Sequence, residues 1–364
     1  MTGFKTTLIA TAAMAALLVN AQGADRVINV YNWSDYIDES ILADFTKETG
    51  IKVVYDVFDS NEILETKLLA GGTGYDIVVP SGTFLARQIG AGVFQKLDKA
   101  KLPNLKNMWD EIQKRTETYD PGNAYSINYM WGTTGIGYNK AKIKAALGDV
   151  PIDSWDLIFK PENLAKLKDC GVHMLDAPTE MLPAALTFLG KNPDSRDRAE
   201  LAEAAKVLEG IRPSIQKFHS SEYINALANG DICVAVGWSG DIFQARDRAD
   251  EAKNGVEIGY AIPKEGALMW FDQMAIPADA KHVDDAHLFL NYIMRAEVIA
   301  KATNYVYYAN GNKASQPLLE KDIIEDPAVY PDAATSAKLY TLQPYDPKTT
   351  RVITRAWTKI KTGQ

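Results

Sequence analysis

Apolar and polar positions along the first eighty residues alternate between strand-like and helix-like spacing. Val27 to Tyr31 alternates as a short strand does, and 38–50 begins with acidic residues and ends at a glycine, as an amphipathic helix does. A second strand at 51–58 and a second helix at 62–70 lead to a third apolar run at 75–81. This β-α-β-α-β order predicts a parallel sheet covered by helices.

The middle of the chain contains a long stretch without helical spacing. Residues 128–139 are apolar, punctuated by glycine and rich in β-formers, so we expect them to carry the chain from one lobe into another. Residues 153–158 mark the start of that lobe, and a helical tract at 195–210 precedes a strand at 232–236. A second extended passage, 256–263, is the candidate for the return.

Aromatic residues, small polar residues and carboxylates recur where predicted strands end. The three clusters are Trp33-Ser34-Asp35-Tyr36, Trp238-Ser239-Gly240-Asp241 and Trp270-Phe271-Asp272. Ligands of α/β proteins bind beyond the carboxyl ends of parallel strands, so the clusters predict one binding site. Two simpler interpretations stay open: Trp33 could cap the hydrophobic core, and Ser81 could be only a helix N-cap.

These clusters suit an organic cation. Aromatic faces attract ammonium groups, carboxylates pair with them, and none of the clusters contains a basic residue for an anionic ligand. Evidence for catalysis is poor, because residues 237–241 depart from the G-x-S-x-G pattern and the four histidines are scattered without metal-ligand spacing. Paired carboxylates of a glycosidase stay possible. We therefore expect a binding protein without cofactor or metal rather than an enzyme.

The amino terminus and the overall charge indicate an exported, acidic protein. Residues 1–23 show a basic residue, Lys5, then an apolar run and small residues, which is the pattern of a signal peptide cleaved near 21–24. Its removal changes the formal net charge of the 364-residue chain from −8 to −9. Such a charge disfavours nucleic acid and anionic membranes, although ordinary solubility also explains it. No later segment is long and apolar enough for membrane insertion, so we expect a periplasmic mature chain.

Several of these stretches resemble the polyamine-binding family of bacterial ABC importers. The resemblance covers essentially all of the mature chain. The stretches that carry it are Val30-Tyr-Asn-Trp-Ser-Asp-Tyr36, Tyr75-Asp-Ile-Val-Val-Pro-Ser81, Phe218-His-Ser-Ser-Glu-Tyr-Ile-Asn225, Asn229-Gly-Asp-Ile-Cys-Val-Ala-Val-Gly-Trp-Ser-Gly-Asp241 and Ile262-Pro-Lys-Glu-Gly266.

The resemblance implies an α/β fold of the two-lobed, type II periplasmic binding protein class. Each lobe would be a mainly parallel sheet flanked by helices, with the ligand in the interlobe cleft. The first lobe would comprise 27–131 and 259–310, the second 132–258, with 311–364 packing on both. The resemblance also implies a monomer that delivers its ligand to a membrane permease without chemistry on the substrate.

The family's ligand contacts carry over to ten positions, with Asp35 as a possible secondary contact. They are Trp33, Ser34, Tyr36, Ser81, Glu180, Trp238, Asp241, Trp270, Asp272 and Tyr308. Cys170 and Cys233 are compatible with a disulfide, and the resemblance implies that they form one.

Trp270 suggests which polyamine is preferred. Putrescine-binding members of the family carry Phe here, and members that prefer spermidine carry Trp, so we expect spermidine to be favoured over putrescine. The larger indole offers more apolar wall to a longer chain. Alternatives are another organic cation, a sugar stacked on the aromatic rings, a polyamine sensor, or a secreted amine or amide hydrolase.

Overall fold

The computed structural model describes residues 26–363, so the expected signal peptide lies outside the described part of the chain. The strands are β1 (Val27–Trp33), β2 (Lys52–Phe58), β3 (Ile77–Val78), β4 (Ser126–Asn139), β5 (Val172–Met174), β6 (Lys217–Phe218), β7 (Val234–Trp238), β8 (Ile258–Ala261), β9 (Ala267–Ala275), β10 (Ala309–Asn310) and β11 (Leu339–Tyr340). The helices are α1 (Glu39–Thr49), α2 (Asn61–Ala70), α3 (Gly82–Gly90), α4 (Asp110–Thr116), α5 (Lys140–Leu147), α6 (Asp156–Phe159), α7 (Pro161–Leu167), α8 (Pro178–Phe188), α9 (Arg198–Ile211), α10 (Tyr223–Ala228), α11 (Ser239–Ala252), α12 (Val283–Ile293), α13 (Ala296–Val306), α14 (Lys321–Ile324), α15 (Ala333–Ser336) and α16 (Pro347–Thr362).

The first helix illustrates how the chain's local signals act. Asp38 is the N-cap of α1 and accepts a hydrogen bond from the Ser40 N–H, which satisfies a free donor of the first turn. Gly50 ends the helix at a φ of 72°, a left-handed conformation that glycine adopts without strain. Ile41 and Phe45 are buried against the sheet. The predicted helix over 38–50 is therefore confirmed.

The first sheet has the order β2-β1-β3-β9-β4, with β10 on β4. β1 pairs in parallel with β2 and β3, whereas β9 runs antiparallel to β3 and β4. The parallel β-α-β-α-β unit predicted from the amino-terminal pattern is confirmed. Its carboxyl ends all face the same edge of the sheet.

The second sheet continues through β4. The first half of β4 pairs with β9, and Thr134 to Tyr138 pairs with β7. β7 then pairs in parallel with β5, and β5 with β6. Residues 128–139, which we expect to carry the chain between lobes, lie in β4, and this strand pairs with both sheets. The candidate return differs, since β8 still pairs with β4 in the second sheet and the chain crosses back only with β9.

Each sheet has its own buried core. One core includes Ile28, Phe45 and Phe289, and the other includes Trp155 and Val234. We call the first sheet with its core the first lobe, and the second sheet with its core the second lobe. Two separate cores can move as units when the strands between them bend.

The carboxyl-terminal segment contacts both lobes. β11 pairs with β9, and α16 packs on α8 and α9 of the second lobe. Cys170 and Cys233 form a disulfide with their Cα atoms 5.5 Å apart, as the family resemblance implied. Within residues 26–363, no helix combines the length and apolarity that crossing a membrane requires.

Candidate functional site

A cavity of about 410 Å³ lies between the lobes, where strands of both sheets end. β1 ends at Trp33, β7 ends at Trp238, and β3 leads to Ser81. The first turn of α8 adds Glu180. All ten residues expected at the site line this cavity, together with Ser220, which was not expected. The lining residues are Trp33, Ser34, Tyr36, Ser81, Glu180, Ser220, Trp238, Asp241, Trp270, Asp272 and Tyr308.

Asp272 is a buried carboxylate held entirely by the first lobe. The hydroxyl groups of Tyr36 and Ser81 donate to its two oxygens at 2.8 and 2.6 Å. Ser81 occupies the N-cap position of α3 but makes no side-chain capping bond, so its hydroxyl serves Asp272 instead. Burial raises the pKa of Asp272 to about 7, and the two hydroxyl groups oppose that rise.

Asp241 lies in the first turn of α11 and receives one hydroxyl from each lobe. Tyr223 of the second lobe and Tyr308 of the first each donate to it at 2.6 Å. A Cβ atom at Gly240 would lie 2.5 Å from the Tyr308 ring, so the glycine permits this close approach. Burial raises the pKa of Asp241 to about 7, and both tyrosines oppose the rise.

Glu180 is the third carboxylate of the cavity. The indole N–H of Trp238 donates to both of its oxygens at 3.1 Å, and the Thr134 hydroxyl donates to one of them. Burial raises its pKa to about 7, and the nearby negative charge of Asp272 adds to that rise. No lysine or arginine is among the residues that line the cavity, so none of the three carboxylates is neutralised there.

Four aromatic rings form a continuous wall across the lobe boundary. Trp33 of the first lobe meets Trp238 of the second edge to face, with ring centroids 5.5 Å apart. Trp270 lies 6.5 Å from Trp238 and 5.4 Å from Tyr308, and both pairs are also edge to face. Trp33 is 8% exposed and its indole N–H donates to the Val79 carbonyl. The ring of Trp33 therefore both packs on the core and forms a wall of the cavity.

Asp35 does not line the cavity, which corrects its expected secondary role. Its carboxylate pairs with Arg248 of the second lobe at 2.6 Å, and its carbonyl accepts a bond from Gln244. Asp35 has a φ of 54°, a left-handed conformation that aspartate tolerates better than most residues. The side chain thus serves contact between the lobes outside the site.

The chemistry of the cavity favours binding of a cation. Three buried carboxylates without a counter-ion are costly when ionised, and a cation that enters removes that cost. Aromatic faces cover the methylene groups and attract the ammonium groups of such a ligand. The described residues contain no group of potential metal ligands, and no histidine lines the cavity.

Three residues that complete the site were missed. Ser220 lines the cavity, Tyr223 positions Asp241, and Thr134 positions Glu180. Ser220 and Tyr223 belong to the family stretch at 218–225, which was available as a signal. Thr134 lies on the crossover strand, where only the tertiary structure shows which side chains turn toward the cleft.

The comparisons with known proteins agree with this geometry. A family model described as bacterial extracellular solute-binding protein matches residues 40–331. A putrescine-binding periplasmic protein of Pseudomonas aeruginosa is 56% identical over 366 residues, with 100% of both chains covered. A putrescine-binding periplasmic protein of Escherichia coli is 55% identical, with 98% of this chain and 97% of the relative covered.

A solved structure shows the same architecture. A putative spermidine/putrescine ABC transporter protein from Listeria monocytogenes superposes with a TM-score of 0.83 at 34% identity, covering 93% of this chain and 100% of that one. The expected two-lobed α/β fold is therefore confirmed.

Proposed function

The chain belongs to the bacterial extracellular solute-binding protein family, and from that membership we propose that it captures a polyamine between its lobes for an ABC importer. The family comprises solute-binding proteins rather than enzymes, which agrees with the expectation from the sequence. The polyamine assignment rests on the site and on the names of the relatives.

The observation that carries the proposal is the set of three unneutralised carboxylates in an aromatic cavity. Asp241, Asp272 and Glu180 each accept hydrogen bonds only from hydroxyl or N–H groups, with no protein cation on the cavity wall. An organic polycation matches this charge, and its methylene groups match the rings. A sugar would match the rings but leave the carboxylates without a counter-charge.

The carboxylates divide into two ends of one binding site. The Tyr36 hydroxyl donates to Asp272, and the Tyr36 ring lies 5.0 Å from the ring of Tyr308, which donates to Asp241, so these two aspartates lie on one side. Glu180 extends from the other side through Trp238 and Thr134. We infer that one ammonium group binds between the aspartates and a second binds at Glu180.

Ligand capture in this proposal couples binding to lobe closure. The first lobe, residues 27–131 and the β9 region onward to 310, supplies Asp272, and the second lobe supplies Glu180 and Asp241. The crossover strands β4 and β9 bend between open and closed states. The closed form would then be presented to a membrane permease in the periplasm, after removal of residues 1–23.

The ligand preference is tested by titration. Spermidine and putrescine are titrated calorimetrically into purified protein freed of ligand by unfolding and refolding, with glucose as the uncharged control. One-to-one binding of either amine, with none of glucose, supports the proposal, and failure of both amines overturns it.

The preference for spermidine that Trp270 predicts is a separate outcome. The relatives at 55% and 56% identity are named for putrescine alone, so they favour the opposite preference. Trp270→Phe should shift the affinity ratio toward putrescine because it removes apolar wall. An unchanged ratio would show that Trp270 does not set the preference.

A further inference from the structure

A second, wider cavity adjoins the proposed polyamine cavity at Ser220. This outer cavity is open to solvent and comprises about 1400 Å³ between α2 and α3 of the first lobe and α16 and the 218–220 loop of the second. Ser220 lines both cavities, so the two cavities are adjacent at this residue. A ligand longer than the inner cavity would extend past Ser220.

The charged groups of the outer cavity are nearly all paired within the protein. Asp176 accepts bonds from the Trp357 indole at 2.6 Å and from the Lys361 ammonium at 2.7 Å. Glu65 pairs with Arg87 at 2.9 Å.

Glu62 is different. Among residues 26–363, no lysine, arginine or histidine nitrogen lies within 4.0 Å of its carboxylate, and the donor that it has is its own backbone N–H. Asp59, at the rim, lies 3.9 Å from His219.

Two neighbouring residues place Glu62 close to the inner cavity: the Asn61 side chain donates to the Ser81 hydroxyl at 3.0 Å, and Thr179, next to Glu180, lines the outer cavity together with Glu62. The charge of Glu62 raises the pKa of Glu180, and Glu180 in turn lies within the field of Asp272. The pKa of Glu62 itself is raised to about 7, chiefly by burial, with Asp176 and Glu65 adding to the rise while Arg87 opposes it. Glu180 on the inner cavity and Glu62 on the outer cavity are therefore neighbouring carboxylates.

Ser220 can serve a ligand that extends from one cavity into the other. Its oxygen accepts one bond, from the Asp176 N–H at 3.2 Å, and a hydroxyl oxygen has a second lone pair. An ammonium group that passes Ser220 could donate to that lone pair. The boundary between the cavities is thus polar where a charged chain would cross it.

We propose that Glu62 binds the third ammonium group of a linear triamine whose other two ammonium groups occupy the inner cavity. The inference rests on the proposed function, since it assigns two ammonium groups to the aspartate pair and to Glu180. It makes Glu62 a residue that distinguishes triamines from diamines. A diamine fills only the inner cavity and leaves Glu62 without a partner.

The test compares spermidine with putrescine in Glu62→Gln protein at a pH of about 8. Loss of one charge-assisted hydrogen bond should lower the ratio of spermidine to putrescine affinity by about tenfold. Asp59→Asn removes one negative charge from the rim of the same cavity, so it controls for the general field and should change the ratio by less than about threefold. Glu62→Asp should recover part of the ratio, and thermal melts check that each variant is folded.

The outcomes separate this inference from the proposed function. If unmodified protein binds neither amine, the polyamine function fails and the subsite with it. If both amines bind and Glu62→Gln leaves their ratio unchanged, or weakens both equally, the subsite is overturned while the function stands. A ratio that Asp59→Asn lowers as much as Glu62→Gln would likewise overturn it, because the effect would then come from net charge alone.

Discussion

Asp272 and Asp241 are both buried carboxylates on the same cavity, yet their hydrogen-bond donors come from different parts of the molecule. Asp272 takes both of its hydroxyl donors, Tyr36 and Ser81, from its own lobe. Asp241 takes Tyr223 from its own lobe and Tyr308 from the other. In the proposed opening of the cleft, Asp272 would keep both of its donors, whereas Asp241 would lose Tyr308.

Because their donors differ, we expect the two aspartates to act at different steps of ligand binding. A preorganised carboxylate needs no rearrangement to accept an incoming cation, which lowers the entropic cost of first contact. A carboxylate completed by closure gains its second hydroxyl only in the closed form. Asp272 is thus suited to capture, and Asp241 links the bound cation to closure.

The largest expected effect comes from removing either negative charge. Asp272→Asn and Asp241→Asn should each weaken polyamine binding by about 2–5 kcal/mol, because a buried ammonium loses its counter-charge. Calorimetric titration of the two variants against unmodified protein gives the loss directly. If either variant lost less than about tenfold in polyamine affinity, that aspartate would not be a main ligand contact, and the proposed roles of the two aspartates would be wrong.

The next largest effect is the pH dependence of polyamine affinity, which follows from proton binding to the three carboxylates. The pKa values of Asp272, Asp241 and Glu180 are about 7 without ligand, and a bound cation favours their charged forms. Affinity should therefore fall as pH falls below about 7, by roughly tenfold per pH unit for each proton displaced. Titrations in buffers of different ionisation enthalpy measure the protons released. Affinity independent of pH between about 5 and 8 would contradict the raised values.

The same raised pKa values predict the sign of the stability change without ligand. The folded protein holds protons on these carboxylates that the unfolded chain has released, so its free energy of unfolding should fall as pH rises from about 4 to about 7. Bound polyamine should oppose that fall. Thermal melts with and without spermidine across this range check both signs.

Two tyrosine substitutions offer the sharpest test of lobe closure, and each should weaken ligand binding by about tenfold or more. Tyr308→Phe and Tyr223→Phe remove the same kind of hydrogen bond from the same carboxylate, each worth about 1.5–3 kcal/mol to a charged group. Tyr308→Phe should speed ligand dissociation with little change in association, because Tyr308 reaches Asp241 only across the closed cleft. Tyr223→Phe should also slow association. Stopped-flow tryptophan fluorescence measures the association and dissociation rates separately. If both variants changed the two rates in the same way, the proposed difference between Tyr308 and Tyr223 would be refuted.

The smallest effect concerns the ion pair outside the cavity. Asp35 and Arg248 join the lobes, but their side chains are 35% and 34% exposed. Asp35→Asn should cost at most about 1 kcal/mol in affinity, and less at high salt, since exposed ion pairs are screened. Titrations at low and high salt measure it. A loss as large as that of Asp241→Asn would make the outer pair, not the cavity, the main element of closure.

Local sequence patterns predicted the parallel β-α-β-α-β unit and most of the strand-end residues of the site. The alternation of β1 and the spacing and caps of α1 predicted the first lobe, because these signals act between residues close along the chain. The clusters at strand ends marked Trp33, Trp238 and Trp270 with their neighbours, whereas Glu180 and Tyr308 were expected only from the family resemblance and Ser220 was missed. Parallel topology brings such strand ends together whatever the details of packing.

Only the tertiary structure showed in which direction each side chain points and which hydrogen-bond partner it has. Tyr36 and Asp272 are 236 positions apart, and no local pattern states that their side chains bond. Asp35 belongs to the same cluster as Trp33 and Tyr36, yet its backbone conformation sends its carboxylate to Arg248. A hydrogen bond depends on distance and angle to within a fraction of an ångström.

The sequence by itself thus determined ten of the residues that line the cavity, and the tertiary structure added Ser220 and determined which residues each lobe positions. Residue type and the periodicity of apolar positions predict where each strand ends and which side chains lie there. Whether Asp241 is completed by its own lobe or by the opposite one depends on how the lobes meet. That packing is a property of the whole chain, because the residues involved come from β1, α10, α11, β9 and the segment after α13.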